Sequence, residues 1–577
     1  MSGRVTIGTL EDLRRDGCLA GKVGTQPVCV FWSEGAAYAL DDRCPHMGFP
    51  LHRGSLESGL LTCHWHNARF DVSSGGTLDP WADDVRSYPV EIQDGRVTVL
   101  VEPEGGRTRY LLHRLDEGLE QGITLVIAKA VLGLLDNDVA SSAIVGAGVD
   151  FGTRYREAGW GAGLTVLTSM SNVLPHLDRA DQALALVHGL VFVSRDTRGR
   201  APRFGLLPLG GELPADRLEG WYRRFIETRS ADAAERTLAS AVATVDATTV
   251  AALMFAAVTD HVFVDGGHTI DFTNKAFEAL EHLGWQRAPD VLPTLVAQTA
   301  SASRSEERGS WRFPRDLAGV ITAAAASLPE RLAAAGCDGF DHHGGVAKLA
   351  WSLLAEEPDD VVAAVDEAID AGIRPDELGR AVAYAAALRI TRFHTQNDHA
   401  DWDEVHHAFT SANALHQALR RAPTPELLRG VYHGALRIYL DRFLNVPAAR
   451  LPEPAPSSDG ADHDLSELQG CWDQQGRVDD AGTIVYRFLR AGGDPRRAIA
   501  ALGHALLSED AEFHWFQTFE AAVRQLQAWP PGSEEGAMIL AGTARFLAAH
   551  TPTRRELAQV VRIATRLRRG EALFEES

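Results

Sequence analysis

The sequence predicts a multidomain protein in which a small all-β domain precedes a large, mainly α-helical domain. Its 577 residues exceed what one hydrophobic core serves, because single cores stop growing near about 250–300 residues. The first hundred residues contain short strand-like runs and the hairpin dipeptide Asp94-Gly95. Beyond residue 110, long segments rich in Ala, Leu and Val follow a helical spacing.

In the β domain, predicted as residues 1–103, residues 27–32 and 36–40 have the composition of short strands. Residues 90–93 and 96–101 flank Asp94-Gly95 and predict a terminal hairpin.

The helical domain is predicted over residues 110–450, and a C-terminal helical segment over 465–577. Its clearest predicted helices are residues 375–394, 401–421 and 425–443. Pro- and Gly-rich stretches at 102–109 and 451–464 are predicted to be linkers.

Composition narrows the classes of partner and the compartment. A net charge of −22 without a basic stripe disfavours nucleic acid and anionic lipid. No apolar run reaches the length of a membrane span, and the first residues lack the apolar core of a secretory signal. Most of the six cysteines are isolated, as in a reducing compartment. We therefore expect a cytoplasmic protein with no membrane or nucleic-acid partner.

The most informative motif lies in the β domain, where Cys44-Pro-His46 is followed by Cys63-His-Trp-His66. This C-x-H-x16-C-x2-H spacing predicts two loops that hold a [2Fe–2S] cluster, with sulfur on one iron and nitrogen on the other. The alternative is a structural zinc site, but zinc ligand pairs are usually spaced C-x2-C.

Residues around the motif extend the pattern over about residues 4–101, which resemble Rieske ferredoxins and the small subunits of bacterial nitrite reductases. These residues are Gly48, Pro50, Leu51, Gly54, Arg69, Phe70, Asp71, Gly75, Gly76, Tyr88, Pro89 and Val90. The resemblance implies that Cys44 and Cys63 bind one iron and that His46 and His66 bind the other. Both the motif and the resemblance therefore predict a Rieske centre.

The sequence departs from respiratory Rieske proteins, which carry an extra cysteine in each ligand loop. Here other residues, including Trp65, fill those places, which favours a ferredoxin-like potential in the lower part of the Rieske range of about −150 to +300 mV. The chain has no recognisable nicotinamide- or flavin-binding motif. We therefore expect electrons from a separate NAD(P)H-dependent reductase.

The helical domain does not resemble the catalytic domain of ring-hydroxylating Rieske oxygenases. Their D-x2-H-x4-H run is absent, and the nearest fragment, Asp403-Glu-Val-His406, lacks the second histidine. That family's catalytic iron is therefore not transferred to this chain.

Instead, the helical domain contains a histidine-rich pattern, D-H-x3-D-x2-H, at residues 260–268 and again at 398–406. We interpret the repeat as an internal duplication of a helical hairpin. If each copy were one helix, its metal-binding side chains would share a face; if a helix began inside each copy, they would converge from two elbows. The predicted ligands are His261, Asp265, His268, His399, Asp403 and His406, joined by His342 from a similar elbow.

Imidazole and carboxylate ligands of this kind suit a mononuclear or dinuclear non-haem iron or manganese site. His407, next to His406, is expected to point elsewhere, and His514 and His550 are interpreted as structural. The histidine-rich elbows resemble questin-oxidase-like proteins, which perform oxidative cleavage in polyketide pathways.

The leading hypothesis is an oxidoreductase whose Rieske centre feeds a helical metal site that activates dioxygen on a small organic substrate. The alternative is a non-catalytic electron-transfer or redox-responsive protein whose helical part is a partner-binding scaffold. The sequence leaves the catalytic residues, the substrate and the oligomeric state open.

Overall fold

The computed structural model describes residues 3–24, 26–101, 107–157, 159–211, 213–336, 339–454, 465–569 and 571. The chain forms two compact units: residues 1–144 with 556–577, and residues 145–555. The first is a small β domain with accompanying helices, and the second is helical. This confirms the predicted fold class.

The described residues of the β domain form ten strands, in three antiparallel sheets, and the α-helix α1 (Leu10–Asp16). In chain order the strands are β1 (Gly3–Thr9), β2 (Cys18–Val23), β3 (Gln26–Ser33), β4 (Ala36–Asp41), β5 (Ser55–Glu57), β6 (Leu60–Thr62), β7 (Arg69–Asp71), β8 (Ser87–Tyr88), β9 (Val90–Gln93) and β10 (Arg96–Val101). The sheets have the orders β1-β10-β9, β2-β3-β4-β8 and β5-β6-β7.

The predicted strands are present. Strands β3 and β4 pair from Val28 opposite Asp41 to Ser33 opposite Ala36. Between β9 and β10, Asp94 and Gly95 both have positive φ, 49° and 70°, as the mirror-image turn of a two-residue hairpin requires.

Three further helices belong to the first unit: α2 (Arg107–Gln121), α3 (Thr124–Asp136) and the C-terminal helix, α24 (Glu556–Arg568). Arg568 of α24 forms an ion pair with Asp136 of α3. The compact units therefore group the chain differently from the predicted ranges 110–450 and 465–577, because pairing between distant segments has no local sequence signal. In the two predicted linkers, residues 102–106 and 455–464 lie outside the described residues.

Most of the second unit consists of helices. They are α4 (Ser141–Tyr155), which begins in the first unit, α5 (Ala162–Val173), α6 (Arg179–Thr197), α7 (Ala215–Glu227), α8 (Ala231–Thr244), α9 (Ala247–Thr259), α10 (His268–Leu283), α11 (Ala288–Val291), α12 (Val296–Ser301), α13 (Leu317–Ala334), α14 (Gly345–Ser352), α15 (Pro358–Asp370), α16 (Pro375–Thr391), α17 (His399–Arg421), α18 (Pro425–Leu440), α19 (Leu468–Trp472), α20 (Val478–Arg490), α21 (Pro495–Ser508), α22 (Phe513–Gln527) and α23 (Glu534–His550).

The three clearest predicted helices correspond to α16, α17 and α18. Proline occupies the first position of α16 and α18, where its fixed φ suits a helix and its missing N–H costs no hydrogen bond. Thr424 caps α18 by accepting a hydrogen bond of 3.2 Å from the Leu427 amide. In the described part of the chain, no helix combines the length and apolar character needed to cross a membrane.

The two D-H-x3-D-x2-H segments fold differently. In the first, Asp265, Gly266 and Gly267 all have positive φ, so α10 begins only at His268. The second lies almost wholly in α17, which begins at His399 after the capping residue Asp398. The first copy is therefore an elbow with a helix start near its end, whereas the second is almost one continuous helix.

Candidate functional site

Two loops of the β domain share one pattern of backbone hydrogen bonds. In the first, the Cys44 amide donates to Phe49 O, and the Gly48 amide donates to Cys44 O, both at 2.7 Å. In the second, the Cys63 amide donates to Ala68 O at 2.8 Å, and the Asn67 amide donates to Cys63 O at 2.9 Å. Each loop is thus a tight arch that begins at a cysteine.

Both arches require a residue with positive φ just after the histidine positions. Gly48 has φ 86° and Asn67 has φ 59°, and glycine and asparagine are the residues that adopt this conformation at least cost. Gly48 is part of the sequence pattern described above, whereas Asn67 is not, although asparagine after the second histidine is the same signal.

The arches bring two thiols and two imidazoles together. Cys44 and Cys63 are buried, with 2% and 0% of their surface exposed. The ring centroids of His46 and His66 lie 4.7 Å apart with nearly perpendicular planes. Among the described residues, the buried His46 Nδ1 has no hydrogen-bond partner.

The two sulfur atoms are close enough to share a proton. A hydrogen bond from Cys44 lowers the pKa of Cys63 to about 6, aided by the backbone amides of Trp65 and His66. The same hydrogen bond, together with burial, raises the pKa of Cys44. The pair therefore favours one thiolate, at Cys63, and the thiolate is the metal-binding form.

Comparison with known proteins identifies this part of the chain. The profile of the Rieske [2Fe-2S] domain matches residues 3–89. The ferredoxin component of the naphthalene 1,2-dioxygenase/salicylate 5-hydroxylase systems of Ralstonia sp is 33% identical over 99 residues, which are 17% of this chain and 95% of that protein. The chain belongs to the Rieske family.

Two further relatives show how far the similarity extends. Apoptosis-inducing factor 3 of Mus musculus is 33% identical over 95 residues, but the match spans only 16% of this chain and 16% of that protein. The solved ferredoxin of carbazole 1,9a-dioxygenase from Nocardioides aromaticivorans IC177 is 27% identical and matches 17% of this chain and 95% of its own, with a TM-score of 0.16. The helical unit is not covered by these matches.

The Rieske domain implies a [2Fe–2S] cluster, and the residues present fit one. Two buried thiols, two facing imidazoles and an unpartnered buried ring nitrogen form the donor set that such a cluster requires.

An ion-pair network of the same unit supports the first ligand loop. Lys129 of α3 donates to the carbonyl of Pro45, between Cys44 and His46. Its Nζ also lies 2.9 Å from Asp83, and Arg114 of α2 lies 2.7 Å from the same carboxylate. Although burial opposes it, the two cations hold the pKa of Asp83 below its usual value.

The helical unit contains a second cluster of metal-binding side chains. One face of α17 presents Asp403, His406 and His407, while His268 begins α10 and His514 lies in the first turn of α22. Two overlapping triads, His268–His407–His514 and Asp403–His406–His514, each place their potential ligand atoms within 4.8 Å of one another. These five residues are called the histidine cluster below.

The rings of the cluster are close. The His406 centroid lies 4.1 Å from both His407 and His514, and His268 lies 4.8 Å from His407. His514 Nε2 is 3.3 Å from His407 Nε2, and its Nδ1 is 3.7 Å from an Asp403 carboxylate oxygen.

His406 is the most unusual member of the histidine cluster. It is 0% exposed, and neither ring nitrogen has a hydrogen-bond partner among the described residues. An unpaired buried polar atom costs about 1–3 kcal/mol, so two such atoms on one side chain require an explanation. A bound metal ion would supply the partner for one of these two nitrogens.

Three imidazoles of this cluster, those of His268, His406 and His407, have lowered pKa values. Burial, with repulsion from neighbouring imidazoles, lowers the pKa of His268 to about 4 and that of His406 well below its usual value. Burial and the neighbouring His268 lower the pKa of His407 to about 2. Neutral imidazole is the form that ligates metals.

The structure brings together three of the seven ligands predicted in the helical domain: His268, Asp403 and His406. It also adds two that were expected elsewhere. The expectation for His407 is wrong, because positions 403, 406 and 407 follow the i, i+3, i+4 spacing of one helical face. His514 has no local sequence signal, since α22 meets α17 only in the folded chain.

The other four predicted ligands lie outside the two triads. His261 is engaged by carboxylates, with Nδ1 2.8 Å from Glu306 and Nε2 2.6 Å from Glu227. His342 Nδ1 lies 2.8 Å from Glu377. The geometry offers neither histidine a role in the cluster.

The remaining two, Asp265 and His399, are exposed. The ring of His399 lies 5.0 Å from that of His550, a residue that the sequence did not single out. His550 donates from Nδ1 to the Phe546 carbonyl, and its buried Nε2 has no partner among the described residues. It borders the cluster as a further imidazole.

A buried charged network lies further along α10 and α22. Lys275, 1% exposed, places Nζ 2.8 Å from Glu278 and 2.6 Å from Glu520. Asn172 of α5 donates to both carboxylates, at 2.7 and 2.8 Å. The network fixes α10 against α22, the two helices whose first turns carry His268 and His514.

Proposed function

We propose that the protein is an oxidoreductase in which the Rieske domain supplies electrons to a non-haem metal site at the histidine cluster, where dioxygen is activated against a small organic substrate. The observation that carries the proposal is His406, which is fully buried with two unpartnered ring nitrogens between His407 and His514. Iron or manganese suits these ligands.

In the Rieske domain, Cys44 and Cys63 are assigned to one iron of the cluster, and His46 and His66 to the other. When bound, the cluster supplies one-electron transfer. The matched ferredoxins are named as components of dioxygenase systems, which supports a separate NAD(P)H-dependent reductase as electron donor. Covalent attachment keeps the cluster at a high effective concentration for one acceptor.

At the histidine cluster, His268, His407 and His514 offer an all-imidazole triad, whereas Asp403, His406 and His514 offer a mixed one. A metal at either triad would supply Lewis acidity and redox chemistry. The simpler arrangement is one ion bound by one triad. Because His514 belongs to both triads, two ions would have to share His514 as a ligand. His261, Asp265, His342 and His399 are not needed in either arrangement.

The surroundings of the histidine cluster also favour metal binding. His406 has no exposed surface, so its nitrogens are shielded from solvent. Lowered pKa values favour the neutral form of His268 and His407. None of the five described cysteines forms a disulfide, which supports a reducing, cytoplasmic location.

The test is a metal count on the purified full-length chain, combined with electron paramagnetic resonance of the reduced protein. A Rieske cluster alone contributes about two irons per chain, so the proposal expects a third metal ion, with a fourth if the site is dinuclear. The second signal must be distinct from that of the cluster.

A count of about two irons with only the Rieske signal would overturn the helical metal site. It would leave the alternative, an electron-transfer protein whose helical part is a scaffold. A third metal without reductant-driven dioxygen uptake, over a panel of aromatic and polyketide-like substrates, would overturn the oxygenase activity alone.

A further inference from the structure

The helical unit contains a small, partly open cavity of about 30 Å³, and some of its lining residues adjoin the histidine cluster in sequence. Its walls come from α9, the turn before α10, the first turn of α10, α17 and α18. The lining residues are Val258, Thr259, Phe263, Val264, Gly267, Ile270, Ser411, Ala412, Leu415, Gly430, His433 and Gly434. All of them except Ile270 are buried.

Two lining residues connect the cavity to metal-binding positions. Gly267 immediately precedes His268. Ser411 lies one helical turn after His407, and its Oγ donates to the His407 carbonyl at 2.7 Å. A Cβ on Gly267 would come within 2.8 Å of Ser411 Cβ, so the start of α10 and the middle of α17 are in direct contact at this wall.

The cavity is apolar despite its few polar residues. Val258, Phe263, Val264 and Leu415 supply most of the wall, the hydroxyls of Thr259 and Ser411 are engaged by backbone carbonyls, and His433 contributes one buried imidazole. Thr259 Oγ1 donates to the Phe255 carbonyl at 3.0 Å, and the Ser411 hydroxyl is held by its own helix. Such a cavity offers water few of the two to four partners that it needs, and genuinely apolar cavities stay empty.

Size then restricts the class of ligand. A cavity must provide at least about 10–15 Å³ for one water molecule, so the observed 30 Å³ admits a diatomic molecule. Pockets for organic ligands measure about 300–1,000 Å³, so the substrate proposed above does not fit.

We propose that this cavity is a binding site for dioxygen, placed beside the histidine cluster to supply its gaseous substrate. The assignment of dioxygen rests on the proposed function, whereas binding of a small apolar gas rests on the cavity itself. Separate experiments therefore test the two statements.

The first experiment uses xenon, an apolar probe, on crystals of the full-length wild-type protein. Pressurisation should give a xenon peak within the walls formed by Val258, Phe263 and Leu415. Ordered water at this position, or xenon bound elsewhere and not here, would overturn the cavity as a gas site. This result does not depend on any metal, so it stands apart from the proposed function.

The second experiment fills the cavity with Ala412→Val and compares it with Ala418→Val. Both alanines are buried on α17, but only Ala412 lines the cavity. The Ala412→Val variant should lose the xenon peak and raise the KM for dioxygen several-fold, with metal content and kcat at saturating dioxygen unchanged. Ala418→Val should keep the xenon peak and the wild-type KM.

Equal KM values for dioxygen in the two variants, with xenon displaced only by Ala412→Val, would overturn the role in supplying dioxygen. If Ala412→Val does not fold, Leu415→Ala provides the opposite change. It enlarges the cavity and should increase xenon occupancy, and unchanged or reduced occupancy would contradict the proposal.

Discussion

The two candidate sites are built in opposite ways. The Rieske ligand set comes from two short arches, residues 44–49 and 63–68, each closed by its own backbone hydrogen bonds. The histidine cluster takes its side chains from three helices, α10, α17 and α22. Local geometry is sufficient to arrange the first set, whereas only packing between helices arranges the second.

The sites also differ in how many of their polar groups have hydrogen-bond partners within the protein. The Rieske loops have neighbours that anchor them directly, including Lys129 on the Pro45 carbonyl. The histidine cluster leaves both nitrogens of His406 without partners among the described residues. A motif of neighbouring residues can therefore be recognised without a structure. A site assembled from distant helices is recognised in the structure by buried polar atoms that lack hydrogen-bond partners.

The largest expected effect tests the local site. Cys63→Ser should remove the Rieske absorption spectrum and about two irons per chain, because a cluster needs all four of its ligands. Iron analysis and visible absorption provide the measurement. Cys18→Ser, at a half-buried free cysteine of the same domain, should retain both; an intact spectrum in Cys63→Ser would contradict the ligand assignment.

The next effect tests the assembled site. Loss of the group that hydrogen-bonds to a metal ligand weakens metal binding by about 10–100-fold. His406→Ala removes a ligand itself, so it should weaken metal binding at the histidine cluster by more than that. The Rieske spectrum should persist, because its ligands are all in the β domain. Metal titration of the apoprotein, followed by calorimetry, measures the change.

His416→Ala is the matched control for that variant. His416 is also buried on α17, 2% exposed, but its Nδ1 is hydrogen-bonded to Gln525. Its replacement should leave the metal affinity near the wild-type value. Equal losses in the two variants would show that α17 packing, rather than ligation by His406, accounts for the effect.

A third prediction concerns the packing that assembles the helical site. Lys275→Met leaves the buried Glu278 and Glu520 carboxylates with only Arg524 as a cation, at 3.7 and 3.2 Å. Removing one partner of a buried ion pair costs about 3–5 kcal/mol. Hydrogen exchange of the α10 and α22 amides should show a loss of protection of this size.

Lys348→Met provides the comparison, because the Lys348 side chain is 82% exposed. Its loss should change protection by less than about 0.5 kcal/mol. If Lys275→Met behaves like Lys348→Met, the buried network does not fix α10 against α22.

The smallest expected effect is electrostatic and concerns the Rieske loop. Reduction adds negative charge to the cluster, and Lys129 favours that charge from its position on Pro45. Lys129→Met should therefore lower the reduction potential by on the order of 30 mV. For a one-electron couple, about 59 mV corresponds to a tenfold change in the equilibrium constant. Spectroelectrochemistry measures the shift.

Lys22→Met, at an exposed lysine of β2, should leave the potential unchanged. A rise in potential in Lys129→Met, or an equal shift in both variants, would contradict a specific role for Lys129.

The sequence predicted much of the secondary structure. Strands β3 and β4, the hairpin at Asp94-Gly95 and helices α16 to α18 follow from patterns of neighbouring residues. In the helical unit, the same local reasoning found His268, Asp403 and His406 through a repeated spacing. It missed His407 because the side chains of adjacent residues were expected to point in different directions. Positions i, i+3 and i+4 nevertheless share one face of a helix.

By itself, the sequence determined the Rieske domain, because its ligands, its turn residues and its strands lie within about 100 consecutive residues and depend on backbone geometry at each position. Only the tertiary structure decided which histidines of the helical unit meet. Helix packing joins α10, α17 and α22 through contacts between distant segments, and no local pattern records which helices become neighbours. For the same reason, the attachment of α24 to the first unit was visible only in the folded chain.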